Sequence, residues 1–191
     1  MAQEYIAIIY KDNTLKVLNP QDYECGSELL QHSFIDNKFM NAVCKELIDN
    51  PQHVIWLGNM LKPGCALRLN SNQIFKFFKK VKNHLPVRQK DFNTIFDFSK
   101  NKFYLINKTK MVYINLKSVC KKNKDDFGEV IHPLSILTAS SNGKGSGDYS
   151  VLFPDYDLAG SWCDDLIYIS KNKPEFGYIE QKVNFKLDTK R

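Results

Sequence analysis

The sequence predicts an α+β domain, in which a mostly antiparallel sheet carries two principal amphipathic helices. Three observations predict it. Short β-branched and aromatic runs recur along the chain, joined by Asn, Asp, Gly and Lys turn residues. Two windows instead place apolar residues at three- and four-residue spacing. Strands and helices do not alternate regularly, as a doubly wound parallel sheet requires. The 191 residues, 43% hydrophobic and 25% charged, suit one folded domain over 1–191. A boundary falls at 121–126 if the chain has two lobes.

Tyr5–Tyr10 and Thr14–Leu18, separated by Lys11-Asp12-Asn13, predict a β-hairpin closed by Asn19-Pro20. From Asp36 the period changes. Phe39, Met40, Val43, Cys44, Leu47 and Ile48 form one stripe, so a helix is expected over Asp36–Ile48, capped by Asp36 and stopped by Pro51. His53–Leu57 and Cys65–Leu69 are the next strands expected. Ser71–Leu85 is the second helix, with Ile74, Phe77, Phe78, Val81 and Leu85 on its apolar side and Pro86 beyond its end. Thr94–Phe98, Lys102–Ile106 and Lys110–Ile114 read as a meander, followed by a helical turn after Asn115. Strands at Leu134–Thr138, Tyr149–Phe153, Leu166–Ile169 and Tyr178–Leu187 complete the expectation.

The start of the chain lacks the basic leader and apolar core of a signal peptide. No window holds eighteen uncharged apolar residues, so no membrane partner is expected. Five cysteines, at 25, 44, 65, 120 and 163, form no CxxC pair, which argues against a disulfide framework and a zinc site. Reduced cysteines and a cytoplasmic location are the expectation.

Charge is unevenly distributed. Residues 1–60 carry 4 basic and 8 acidic side chains, 61–124 carry 16 and 2, and 125–191 carry 7 and 11. The net values are −4, +14 and −4. Lys76, Lys79, Lys80, Lys100, Lys102, Lys108 and Lys110 form a candidate basic face, interleaved with Phe103, Tyr104 and Tyr113. Lysines among aromatics are the raw material for gripping phosphates and stacking bases. Against that, this third holds only Arg68 and Arg88 as arginines, and no RNP, KH or helix-turn-helix signature is present.

The most distinctive stretch runs from Ile131 to Ile169. Its candidate binding loop is Asn142, Gly143, Lys144, Gly145, Ser146, Gly147, Asp148 and Tyr149, joined by Trp162, Asp164 and Asp165. Alternate glycines can aim successive N–H groups at an anion. The loop has neither P-loop spacing nor a following helix to hold a phosphate, so a turned hairpin loop is the simpler reading. Asp155-Tyr156-Asp157 fits no calcium loop, and neither metal nor cofactor is expected. His132 with Asp148 and Asp164 or Asp165 supplies residues for hydrolytic chemistry, with Cys163 available as a nucleophile.

The leading functional expectation is a small protein that binds another macromolecule, foremost a protein, without catalysis. Nucleic-acid binding through 62–124 is the second reading, and a hydrolase centred on His132 is the third.

Overall fold

A computed structural model describes residues 2–12, 14–60 and 96–187. The described residues form a mixed sheet of eight strands with three α-helices. β1 (Tyr5–Lys11) pairs antiparallel with β2 (Thr14–Leu18) and with β3 (Gln52–Gly58). The far edge of β3 is shared. Its start meets β7 (Leu166–Ser170) antiparallel, and its end meets the short β6 (Ala139–Ser140) in parallel. The sheet continues through β4 (Tyr104–Asn107) and β5 (Val112–Asn115) to β8 (Ile179–Glu180), parallel to β5. The order is β2-β1-β3-β7-β4-β5-β8, and five of the seven pairings are antiparallel.

The two-residue period of β1 and β3 divides their side chains between two faces. Tyr5, Ala7, Ile9, Val54 and Trp56 enter the main core, while Ile6, Ile8, Ile55 and Leu57 form a smaller cluster with Tyr10, Val17 and Cys163. Both sets are buried, which explains why these strands read as continuous apolar runs.

Helix α1 (Lys38–Leu47) buries Phe39, Met40, Val43, Cys44 and Leu47 in the main core, where Phe39 meets Trp56 edge-on at 5.6 Å. Its cap is Asn37, one residue beyond the expected Asp36, and the Asn37 side chain accepts from the N–H groups of Phe39 and Met40. Helix α2 (Leu116–Lys122) follows Asn115, whose Oδ1 accepts from Ser118 N–H at 3.2 Å.

Several expectations change. Leu134–Thr138, expected as a strand, is helix α3 (Pro133–Leu137) with all five residues buried. A helix buried on every side has no apolar stripe to betray it; Pro133, held at the first turn by the His132 cap, is the decisive signal. Tyr149–Phe153 is a series of turns, because Asn142 takes both backbone groups of Tyr149 and Phe153 N–H bonds back to Ser150. Of Tyr178–Leu187 only Ile179–Glu180 joins the ladder, although Val183 and Phe185 still point into the core. Phe96–Phe98 is not a strand, and the rest of that run lies outside the described residues. So do the expected strand Cys65–Leu69 and helix Ser71–Leu85. The 121–126 stretch is tied down by Asn123, whose amide donates to Val183 O at 2.9 Å, and by Asp125, which binds the N–H groups of Phe127 and Glu129.

Candidate functional site

The glycine-rich loop is built around the carboxylate of Asp148. Oδ2 accepts from the backbone N–H groups of Gly143, Lys144 and Gly145 at 2.8, 2.9 and 3.1 Å. Oδ1 accepts from the hydroxyl of Tyr5 on β1 at 2.9 Å. Tyr5 in turn accepts from the amide of Gln3, which also donates to Ser141 O at 3.2 Å. Burial and the neighbouring Asp148 charge push the Tyr5 hydroxyl far above its usual range. Asn142 closes the loop by bonding Tyr149 N–H and C=O, both at 2.8 Å, and Tyr149 donates to Pro154 O at 2.6 Å. Gly143 and Gly147 adopt positive φ of +84° and +80°. Three backbone N–H groups of the loop thus converge on one carboxylate, and that anion is a side chain of the same loop.

Trp162, Asp164 and Asp165 lie apart from that loop in role. Trp162 is core, its backbone N–H donating to Leu137 O. Asp164, at φ +66°, sits on one rim of the sheet, where it accepts from Tyr10 Oη and where its backbone oxygen lies 2.8 Å from His53 Nδ1. His53 and Tyr10 stack with ring centroids 4.9 Å apart, and His53 Nδ1 is 3.8 Å from Asp164 Oδ1. Asp165 accepts from Asn107 Nδ2 at 2.8 Å and pairs with Lys110 Nζ at 3.1 Å. The sequence reading named His132 as the partner of these acids, but the histidine beside Asp164 is His53. Its place is set by the register that puts it opposite both Tyr10 and Leu166.

His132 is fully buried. Its Nδ1 accepts from Leu134 N–H as the α3 cap, and its Nε2 faces Cys44 Sγ at 3.6 Å. Desolvation pushes the imidazole down to about 3 and the Cys44 thiol far up, so both stay neutral at neutral pH. A cysteine–histidine pair of this kind is poorly prepared for nucleophilic attack, which needs thiolate. His32 is likewise buried and pushed down to about 4. It contacts Gly26 O through Nδ1 and accepts from the Trp56 indole through Nε2 at 2.9 Å. Among the described residues no group of three or more His, Cys, Asp and Glu side chains is arranged to hold a metal ion.

Lys76, Lys79 and Lys80 lie outside the described residues. Lys100 pairs with Asp97 at 3.1 Å, and Lys110 with Asp165. Lys102 and Lys108 are exposed, one before β4 and one after it, so the length of that strand separates them. Behind the β4–β5 hairpin lies a tyrosine-rich face of Tyr104, Ile106 and Tyr113, backed by Tyr168 and Tyr178.

The feature the sequence reading missed is at the sheet's end. β8 closes the strand order, so its outer edge meets no strand among the described residues. Around it stand Met111, Ile179 and Phe176, exposed by 43%, 71% and fully. Met111 and Ile179 are neighbours, since Ile179 N–H donates to Met111 O, and Phe176 precedes Gly177, where an added Cβ would lie 3.8 Å from Met111 Cε. A cleft of about 340 Å³ adjoins this edge, walled by α2 and residues 180–184, with Ile114, Val119 and Val183 among its lining. The isolated Phe176, set between Glu175 and Gly177 with no apolar neighbour, was the sequence signal available.

Among the described residues no helix is long and apolar enough to cross a membrane. Comparison of the chain with protein-family models, curated proteins and solved structures finds no match in any of the three.

Proposed function

We propose that this chain is a protein-binding domain that receives its partner along the outer edge of β8, without catalysis. The observation that carries the reading is the coincidence of an unpaired strand edge with exposed Met111, Phe176 and Ile179. An open edge is a template for strand addition, with main-chain hydrogen bonds supplying affinity and flanking side chains selectivity. Large apolar side chains gathered at such an edge, rather than scattered, favour an interaction surface. The cleft beside β8 offers a seat for an incoming side chain.

Binding is favoured over hydrolysis because His132 is engaged as a helix cap and Asp148 is saturated by its own loop. It is favoured over nucleic-acid recognition because, among the described lysines of the basic face, Lys100 and Lys110 pair with Asp97 and Asp165 while Lys102 and Lys108 stand at opposite ends of β4.

The test is site-specific photocrosslinking in the source cells. A photoreactive residue at Phe176 should give discrete protein adducts, identified by mass spectrometry, while the same group at exposed Leu15 on the opposite edge gives none. The adducts should disappear on Ile179→Lys with the unfolding midpoint unchanged. Absence of any adduct specific to position 176 would refute the reading.

A further inference from the structure

The β8 segment is self-complementary when it is laid antiparallel to a copy of itself. Ile179 and Gln181 direct their N–H groups inward, to Met111 O and Tyr113 O of the β5 edge. Strand alternation therefore turns the backbone groups of Glu180 and Lys182 outward. Among the described residues neither of those N–H groups has a hydrogen-bond acceptor, and both side chains are exposed. The next outward N–H, that of Asn184, is already taken by Asp155 Oδ2 at 2.7 Å, which ends the usable edge.

Three symmetric registers fit so short an edge. Centring on Glu180 sets two carboxylates opposite one another, and centring on Lys182 sets two ammonium groups opposite. Centring on Gln181 sets Glu180 opposite Lys182 twice, because a two-fold axis repeats every contact. In that register both residues form hydrogen-bonded pairs, giving four backbone hydrogen bonds in all. It also places Ile179 opposite Val183 of the second copy. Val183 lines the cleft beside β8, so the exposed isoleucine of each copy comes to lie over the cleft of the other.

We infer that the partner of the β8 edge is a second copy of this chain, joined by antiparallel β8–β8 pairing about Gln181 into one continuous sheet. The inference rests on the binding reading above and names its partner. Glu180 already accepts from Tyr113 Oη at 3.2 Å, which holds its side chain on the tyrosine face. Lys182, two residues on, projects to that same face, where the opposite charges of two copies would meet.

The experiment is sedimentation of the full chain over a concentration series, for wild type, Glu180→Lys, Lys182→Glu and the double exchange. Wild type should reach a dimer. Each single variant places like charges opposite one another twice and should weaken self-association by on the order of tenfold. The double exchange restores opposite charges and should recover the wild-type constant. Unfolding midpoints for all four proteins separate lost pairing from lost folding. A wild-type chain that stays monomeric overturns the inference, as does a dimer indifferent to both single variants or a double exchange that fails to recover. A monomeric chain that still yields foreign-protein adducts at Phe176 would overturn only the identity of the partner.

Discussion

Replacing Asp148 by alanine should cost this protein a large part of its stability, although the loop it belongs to lies at the surface. The carboxylate is 7% exposed and accepts four hydrogen bonds, three from consecutive loop N–H groups and one from Tyr5. A hydrogen bond to an ionised group contributes about 1.5–3 kcal/mol net. Part of that is recovered in the variant, since Gly143 and Lys144 are exposed and their N–H groups can turn to water. The buried Tyr5 hydroxyl has no such recourse. A loss of roughly 3–5 kcal/mol follows, against total stabilities of about 5–15 kcal/mol. With a urea slope of about 1–3 kcal/mol/M, the unfolding midpoint should fall by roughly 1–5 M. Asp148→Asn should fall between the two, because one amide oxygen cannot serve both the N–H nest and the tyrosine. Tyr5→Phe in the same background should add little, its partner already being gone. If Asp148→Ala unfolds within 1 kcal/mol of wild type, the carboxylate is not what holds the loop, and its N–H groups are open to an external anion after all.

Further outcomes follow from other parts of the fold. His32 and His132 are held neutral, with folded values near 4 and 3 against about 6.5 when unfolded. A depressed histidine value means that the unfolded chain takes up protons first. Their contribution is thus complete above pH 6.5 and lost as pH falls toward those folded values, at about 2 kcal/mol for each histidine by pH 5. Urea midpoints at pH 7 and pH 5 measure this, and His132→Asn should remove about half of the slope. Gly160→Ala should destabilise by roughly 2–4 kcal/mol, because φ is +76° and the new Cβ would sit 2.7 Å from the backbone oxygen of Ala139. Gly128→Ala, at φ +82° with open space around it, is the control and should cost only about 1 kcal/mol in thermal or denaturant unfolding. In native thiol labelling followed by mass spectrometry, Cys44 and Cys120 should stay unmodified, since burial removes Cys44 from solvent and pushes the Cys120 thiol up to about 11.

Local pattern and tertiary context divided the problem in a physically regular way. The β1–β2 hairpin, α1, β3 and β7 were legible because each has a period set by one or two faces and an end marked by a turn residue or proline. Helix α3 was not, because burial on all sides erases the period that distinguishes five apolar helical residues from a strand. The run after Tyr149 was misjudged for a different reason: Asn142, seven residues earlier, captures the backbone groups a strand would have offered its neighbour. Glycine spacing left a turned loop and an anion-binding loop both open, because the convergence of three N–H groups depends on Asp148 turning back within the loop. The pairing of His53 with Asp164 depends on residues 111 apart meeting across a strand register, which spacing alone does not encode. The β8 edge lay hidden because an edge is a property of strand order, and order becomes visible only once the whole sheet is assembled.

The bond from Tyr5 to Asp148 spans 143 positions of chain, and β3 likewise waits for β6 and β7 to complete its second edge. During synthesis the first hairpin can form early, yet the tyrosine at its base remains without its acceptor until residue 148 has left the ribosome. Such distant closures make folding slow relative to chains of similar size built from local contacts. Until then the emerging β1–β3 ribbon presents an unsealed strand edge beside Ile6, Ile8, Ile55 and Leu57, a form vulnerable to aggregation. A nascent-chain force or protease-protection profile would accordingly show protection of the amino-terminal strands arriving late, with the emergence of residues 139–170, rather than when the hairpin itself is complete.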